Sequence, residues 1–269
     1  MVKQNIGSVP LAPYAALDLL GEAKFNSKEK GFKREDEELE KLIASDQFRA
    51  SIYSFNLVQK HAKNPQGAPD PKLAIKVQKV GVVGAGLMAS QFALLFLRRL
   101  QVPVVITDVS QDRVDKGLAY CRAELDKLVE KGRLSIDDRN RYSANLSGTL
   151  DMNDFANCDW VIEAVFEELK VKHDVFTRVE AVVRPDAILA TNTSSLSVDE
   201  IGKVLKHPER LVGFHFFNPV AVMPLVEVVK AAKSNDVSVA TAMRVAKDLK
   251  KTAVITSDST GFVVNRLLG

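Results

Sequence analysis

The 269-residue sequence predicts an α/β fold, a doubly wound and mostly parallel sheet preceded by a helical linker segment. Three observations predict it. From Val80 onward, short apolar runs with little charge alternate with stretches of helical periodicity, the pattern of parallel strands joined by crossover helices. The turn Gly84-Ala85-Gly86 directly follows the first of those runs and opens a helix. Before Val80 the chain is charged and helical in pattern.

In chain order, Pro13 can start a helix over 14–23, and 34–43 reads as a charged helix. Asp46 is the expected N-cap of the next, whose Phe48, Ile52 and Phe55 fall on one stripe. One stripe cannot close a core, so this face should pack on the next domain or on a neighbour. Residues 64–71 hold three prolines and one glycine, which read as a linker with no regular element. Strands are then expected at 79–83, 104–107, 160–164, 187–191, 211–216 and 225–229, each with the apolar character of a strand covered on both faces. Helices are expected at 88–100, 111–131, 170–183 and 238–249, and Ser197 with Glu200 has capping-box spacing for another. The expected domains are a helical segment and linker over 1–78, a nucleotide-binding domain over 79–258, and the start of a helical domain over 259–269. The apolar helix opening after Thr260 stops at Gly269, so the chain is expected to be a fragment trimmed at its C-terminal end.

Apolar residues make up 46% and charged residues 26%, which excludes a disordered tail, a collagen and a coiled-coil rod. A net charge of +3, from 37 Lys and Arg against 34 Asp and Glu, is too small for a dedicated nucleic-acid binder. The apolar run 92–97 is far shorter than the roughly 20 residues that span a bilayer, so no membrane partner is expected. Two cysteines, Cys121 and Cys158, point to buried thiols and a reducing, cytoplasmic setting. They and the four histidines show no metal-ligand spacing.

The glycine turn fits a dinucleotide fingerprint. Gly84 permits the tight turn, Gly86 lets backbone approach a pyrophosphate, and Ala89, in place of a third glycine, keeps the helix close to the strand. Asp108 ends the second strand 24 positions after Gly84, where a carboxylate binds the adenosine ribose and repels a 2′-phosphate. The expected cofactor is NAD. Arg113 reads as a surface residue of the following helix.

His215 ends a strand beside the turn forced by Pro219, at the carboxyl edge where such sheets bind ligands. An imidazole can take a hydroxyl proton near neutral pH. Glu227, twelve positions on within an apolar strand, needs a partner, and that imidazole would provide one.

Together with Gly84–Ala89, the segments Glu163-Ala164-Val165-Phe166-Glu167, Asn192-Thr193-Ser194-Ser195, His215-Phe216-Phe217-Asn218-Pro219, Met223-Pro224-Leu225-Val226-Glu227 and Thr260-Gly261-Phe262-Val263-Val264-Asn265-Arg266 resemble the L-3-hydroxyacyl-CoA dehydrogenase family over about 79–269. The region before them more loosely resembles the join to an enoyl-CoA hydratase (crotonase-like) domain in multifunctional fatty-acid oxidation proteins. The resemblance implies His215 as general base, Glu227 as its orienting carboxylate, and Ser194 and Asn265 as hydrogen-bond partners of the substrate oxygen. It implies Glu167, Lys172 and Asn218 on the nicotinamide side of the NAD site, and Asp108 at the ribose. The implied reaction is reversible oxidation of (S)-3-hydroxyacyl-CoA to 3-ketoacyl-CoA, with a hydratase fusion and oligomerisation through a further helical domain. A chain lacking that domain is expected to bind NAD but turn over weakly. Ser194, Ser195 and Asn265 also suit purely local capping roles. Two alternative functions are a non-catalytic scaffold segment and a beta-hydroxyacid dehydrogenase with a lysine base.

Overall fold

The computed structural model describes residues 10–62, 65 and 67–268. The chain divides into two compact units, Met1–Asn64 and Pro65–Gly269.

The first unit holds helices α1 (Ala12–Glu22), α2 (Lys28–Ala44) and α3 (Asp46–Leu57). Arg34 ties α1 to α2 through Glu22, at 3.2 Å. The N-cap of α3 is Ser45, not Asp46: its backbone is extended, its hydroxyl accepts from the Phe48 amide, and Asp46 is already helical. None of these helices has a buried residue. Phe48, Ile52 and Phe55 are 41%, 44% and 59% exposed.

The second unit begins at Pro65, ahead of the first strand. A 3-10 turn, Pro71–Leu73, starts at the last residue of the expected linker and is capped by the Asp70 carboxylate, which accepts from the Lys72 amide. Beyond it Ile75 and Val77 pack on the core, and the Ile75 amide donates to Thr241 Oγ1 at 3.1 Å.

The sheet has eight strands: β1 (Val80–Val83), β2 (Val104–Thr107), β3 (Leu146–Thr149), β4 (Trp160–Glu163), β5 (Ile188–Thr191), β6 (Leu211–Phe216), β7 (Leu225–Lys230) and β8 (Thr252–Ser257). Their order is β3-β2-β1-β4-β5-β6-β7-β8. The first six run parallel, β7 pairs antiparallel to β6, and β8 runs with β7. The edge strands β3 and β8 lie outside the six expected; both are partly exposed, and β3, Leu146-Ser147-Gly148-Thr149, has no apolar run.

Helices α4 (Leu87–Arg99), α5 (Gln111–Glu130), α6 (Ile136–Ala144), α7 (Leu169–Glu180), α8 (Val198–Gly202) and α9 (Asp236–Asp248) flank the sheet, and α10 (Val264–Leu268) ends the described chain. Two apolar layers result. One gathers Phe92, Phe96, Trp160, Phe214 and Phe216; the other gathers Phe155, Phe176, Leu189, Ile201 and Phe262. Burying each such ring contributes about 1.5–3 kcal/mol. The sheet is therefore rigid where its carboxyl edge carries the site. Cys121 and Cys158 are free thiols within these layers. No described helix is long and apolar enough to cross a membrane.

Candidate active site

Strand order reverses at β1, whose neighbours β2 and β4 are reached by crossovers in opposite directions. A crevice opens there. Gly84 has φ +110°, and a Cβ on it would stand 2.7 Å from the Ala164 carbonyl oxygen, so only glycine fits. A Cβ on Gly86 would meet nothing within 4 Å. Ala89 is fully buried against the turn. Helix α4 starts at Gly86 with no side-chain cap and no acid in its first turn, leaving amides and the positive end of the helix dipole for an anion. A cavity of about 640 Å³ lies against these residues, bordered by Gly84, Gly86, Asp108, Arg113 and Phe166.

Asp108 accepts from the Ala85 amide through Oδ2 and from the Val109 amide through Oδ1, both at 2.7 Å. The carboxylate thus stitches the glycine turn to the end of β2. The Arg113 guanidinium is 3.7 Å away, half-exposed.

A second cluster of polar side chains centres on β6 and β7. His215 and Glu227 are direct partners across the antiparallel pair, and the imidazole Nδ1–H donates to Glu227 Oε2 at 2.7 Å. Both are buried, at 5% and 0% exposure. An ionised carboxylate can only accept, so in the neutral tautomer that suits this pair Nδ1 carries the hydrogen and Nε2 keeps its lone pair. Glu227 Oε1 accepts from the amides of Val263 and Val264 at 3.0 and 2.9 Å. Gly261 and Phe262, with φ +73° and +50°, bend the chain so that both amides point at the carboxylate. The Phe217 and Phe262 rings flank the imidazole at 4.6 and 5.7 Å.

Asn265 Nδ2 donates to the Ser194 carbonyl at 3.2 Å, so the first turn of α10 touches both Glu227 and the loop after β5. Asn218, joined to Pro219 by a cis peptide, accepts from Gln91 Nε2 at 3.3 Å. The predicted site residues therefore fall into two groups: Gly84, Gly86, Ala89 and Asp108 at the glycine turn, and His215, Glu227, Ser194 and Asn265 at the ends of β5 to β7.

Glu167 lies in the loop after β4. Its Oε1 accepts from Thr193 Oγ1 at 2.6 Å and from the Ser194 and Ser195 amides at 2.7 and 3.0 Å, with both serine hydroxyls within 3.3 Å. Burial alone would raise this carboxyl, but the Thr193 hydroxyl, the Lys172 charge and the Ser194 amide together hold it down at about 2. Lys172 is only 1% exposed and reaches Glu167 Oε2 at 3.2 Å and Glu163 at 2.8 Å. At that burial its ammonium meets the two carboxylates rather than solvent. Sequence reasoning assigned nothing to Glu163, Asn192 or Gln91. Asn192 Oδ1 accepts from the Phe216 amide beside His215, and Gln91 Oε1 accepts from Val220. A polar residue closing an apolar strand was the one signal available for Glu163.

This architecture defines a dinucleotide-binding domain of the doubly wound, Rossmann class. The chain belongs to the 3-hydroxyacyl-CoA dehydrogenase family, whose NAD-binding domain matches residues 79–259. It is 38% identical over 257 residues to the fatty acid oxidation complex subunit alpha of Pseudomonas putida, covering 96% of this chain and 36% of that protein. It is 34% identical over 253 residues to the peroxisomal fatty acid beta-oxidation multifunctional protein of Oryza sativa, covering 94% of this chain and 35% of that one. The solved (S)-3-hydroxybutyryl-CoA dehydrogenase of Ralstonia eutropha superposes with TM-score 0.69 at 35% identity, over 72% of this chain and 68% of that one. The chain spans about a third of the length of the curated relatives it matches. Its cofactor is NAD, and the open side of Gly86, the uncapped start of α4 and the Asp108 carboxylate fit that group.

Proposed function

We propose that this chain is the NAD-binding, base-bearing part of a dehydrogenase that oxidises (S)-3-hydroxyacyl-CoA to 3-ketoacyl-CoA in fatty-acid β-oxidation. The observation that carries this reading is the 2.7 Å bond between His215 Nδ1 and Glu227 Oε2 at the ligand-binding edge of the sheet. NAD, when bound, supplies the hydride acceptor. His215 Nε2 takes the proton of the 3-hydroxyl, and the resulting imidazolium is stabilised by Glu227 through Nδ1–H. The Val263 and Val264 amides keep Glu227 oriented. Ser194 and Asn265, already in contact, hold the substrate oxygen, while Glu167, steadied by Lys172, and Asn218 border the nicotinamide side. Asp108 binds the ribose of the adenosine half.

Relatives named as a fatty acid oxidation complex subunit and as a multifunctional protein support a place within a longer protein that carries other domains; that the fused domain is an enoyl-CoA hydratase rests on the resemblance of the segment before residue 79. The two free, buried thiols suit a reducing compartment such as the cytoplasm. The test is NAD-dependent oxidation of 3-hydroxyacyl-CoA esters of increasing chain length by the whole protein, beside His215→Gln. NADH formation abolished by that change is expected. Turnover of free 3-hydroxy acids in preference to CoA esters would overturn the substrate assignment, unchanged turnover by the variant would overturn His215 as the base, and a whole protein that forms no NADH would leave a scaffold role.

A further inference from the structure

The Glu163 carboxylate has no part in the proton transfer described above, yet it is fully buried. In the sheet register it stands opposite Val83, the residue before the glycine turn, and on its other side opposite Thr191. It therefore lies at the floor of the crevice, where the strand order reverses. Glu163 Oε1 accepts from the Thr191 hydroxyl, and Oε2 from the Val165 amide at 3.1 Å. Lys172 Nζ bonds both oxygens at 2.8 and 2.9 Å.

The same ammonium serves Glu167. Two carboxylates thus share one cation, and their other partners are neutral hydroxyls and amides from Thr191, Thr193, Ser194, Ser195 and Val165. Counted formally, that sets two carboxylates against one ammonium, and the neutral donors add no positive charge. The cluster also adjoins the base: Glu167 holds Ser194, Asn265 bonds the Ser194 carbonyl, and the neighbouring Val264 amide bonds Glu227.

We propose that the Glu163–Lys172–Glu167 cluster, two carboxylates against one ammonium, biases the cofactor site toward the cationic nicotinamide of NAD+ over the neutral ring of NADH. This rests on the reading of the crevice as an NAD-dependent dehydrogenase site. A formal excess of negative charge in a poorly solvated crevice acts on a nearby cation and leaves a neutral ring almost untouched.

The experiment measures dissociation constants for NAD+ and NADH with the full chain, by titration calorimetry and cofactor fluorescence. Glu163→Gln and Glu167→Gln each remove one negative charge, while Thr193→Val disturbs the same cluster without altering its charge. The ratio Kd(NAD+)/Kd(NADH) is expected to rise about tenfold in both charge variants and to stay within twofold of the parent, about the scatter of such titrations, in Thr193→Val. Should Glu163→Gln fail to fold, the half-exposed Glu167 decides the matter alone. Both cofactor forms weakening by the same factor in the charge variants would overturn the proposal and leave the dehydrogenase reading intact. Parent protein that binds neither form would overturn both.

Discussion

The two ends of the candidate site are built differently. The glycine-turn end comes from a single stretch in which β1, the turn, α4 and β2 follow one another, closed by Asp108 reaching back to Ala85. The base end gathers side chains from β6 and β7, the loops after β4 and β5, and the turn before α10. The first is a local structure that one crossover completes. The second exists only if the β6–β7 register is right, since a slip of one residue would turn Glu227 to the opposite face and leave His215 across from a valine. Substitutions should therefore act by shape at the turn and by lost coupling at the base end.

The largest effect expected is that of His215→Gln in the whole protein, which should lower kcat about 10²–10⁴-fold while NAD affinity, set at the other end, holds within about twofold in a binding titration. Glu227→Gln should come close to it. Its amide would present N–H to Nδ1, force the proton to Nε2 and remove the base, so steady-state kinetics should show a loss of about 10³-fold or more. The double variant should be little worse than either single one, because the pair works as a unit. Additive losses would mean that the two groups act separately.

At the glycine turn the contrast is between neighbours. Gly84→Ala puts a Cβ 2.7 Å from the Ala164 carbonyl at φ +110° and should cost about 2–4 kcal/mol in chemical denaturation. Gly86→Ala meets no atom within 4 Å. It should leave stability nearly unchanged and weaken NAD about tenfold, because the methyl stands where backbone must approach phosphate. Asp108→Asn keeps an acceptor for Ala85 but removes the charge that repels a 2′-phosphate, so the ratio of NAD to NADP affinity should fall about tenfold.

The same division explains what could be read before any coordinates. Gly84, Gly86, Ala89 and Asp108 are legible because their signature is spacing along the chain. His215 and Glu227 stand out as polar residues in apolar strands, but their meeting depends on the reversal of β7, which periodicity does not reveal. The Val263 and Val264 amides were not legible at all, since a backbone donor carries no residue identity. Lys172 falls on the expected helix, but its bond to Glu163 is not legible, because a nine-residue separation matches no local pairing rule. Helix α6 has no apolar stripe to reveal it, since only Tyr142 of it is buried, and the cap of α3 lies one residue before Asp46, at Ser45, a shift that residue type alone does not fix.

The smallest effect expected concerns Glu167, which ties the loop after β4 to the 193–195 loop. Its carboxyl is held at about 2 against an ordinary value of 4.5. A carboxyl whose folded value lies below its unfolded one stabilises the fold above the unfolded value, and that contribution fades as pH falls toward the folded one. The window is thus about 4.5 down to about 2. Urea midpoints of the parent and of Glu167→Gln, measured at each pH, cancel the titration of the other acids when subtracted. The parent should be the more stable by a margin constant above pH 5 and shrinking through that window, modest throughout because the side chain is a third exposed. A margin independent of pH would show that the 193–195 loop is held by hydrogen bonds any amide can supply, and that the charge of Glu167 is free to serve the cofactor end alone.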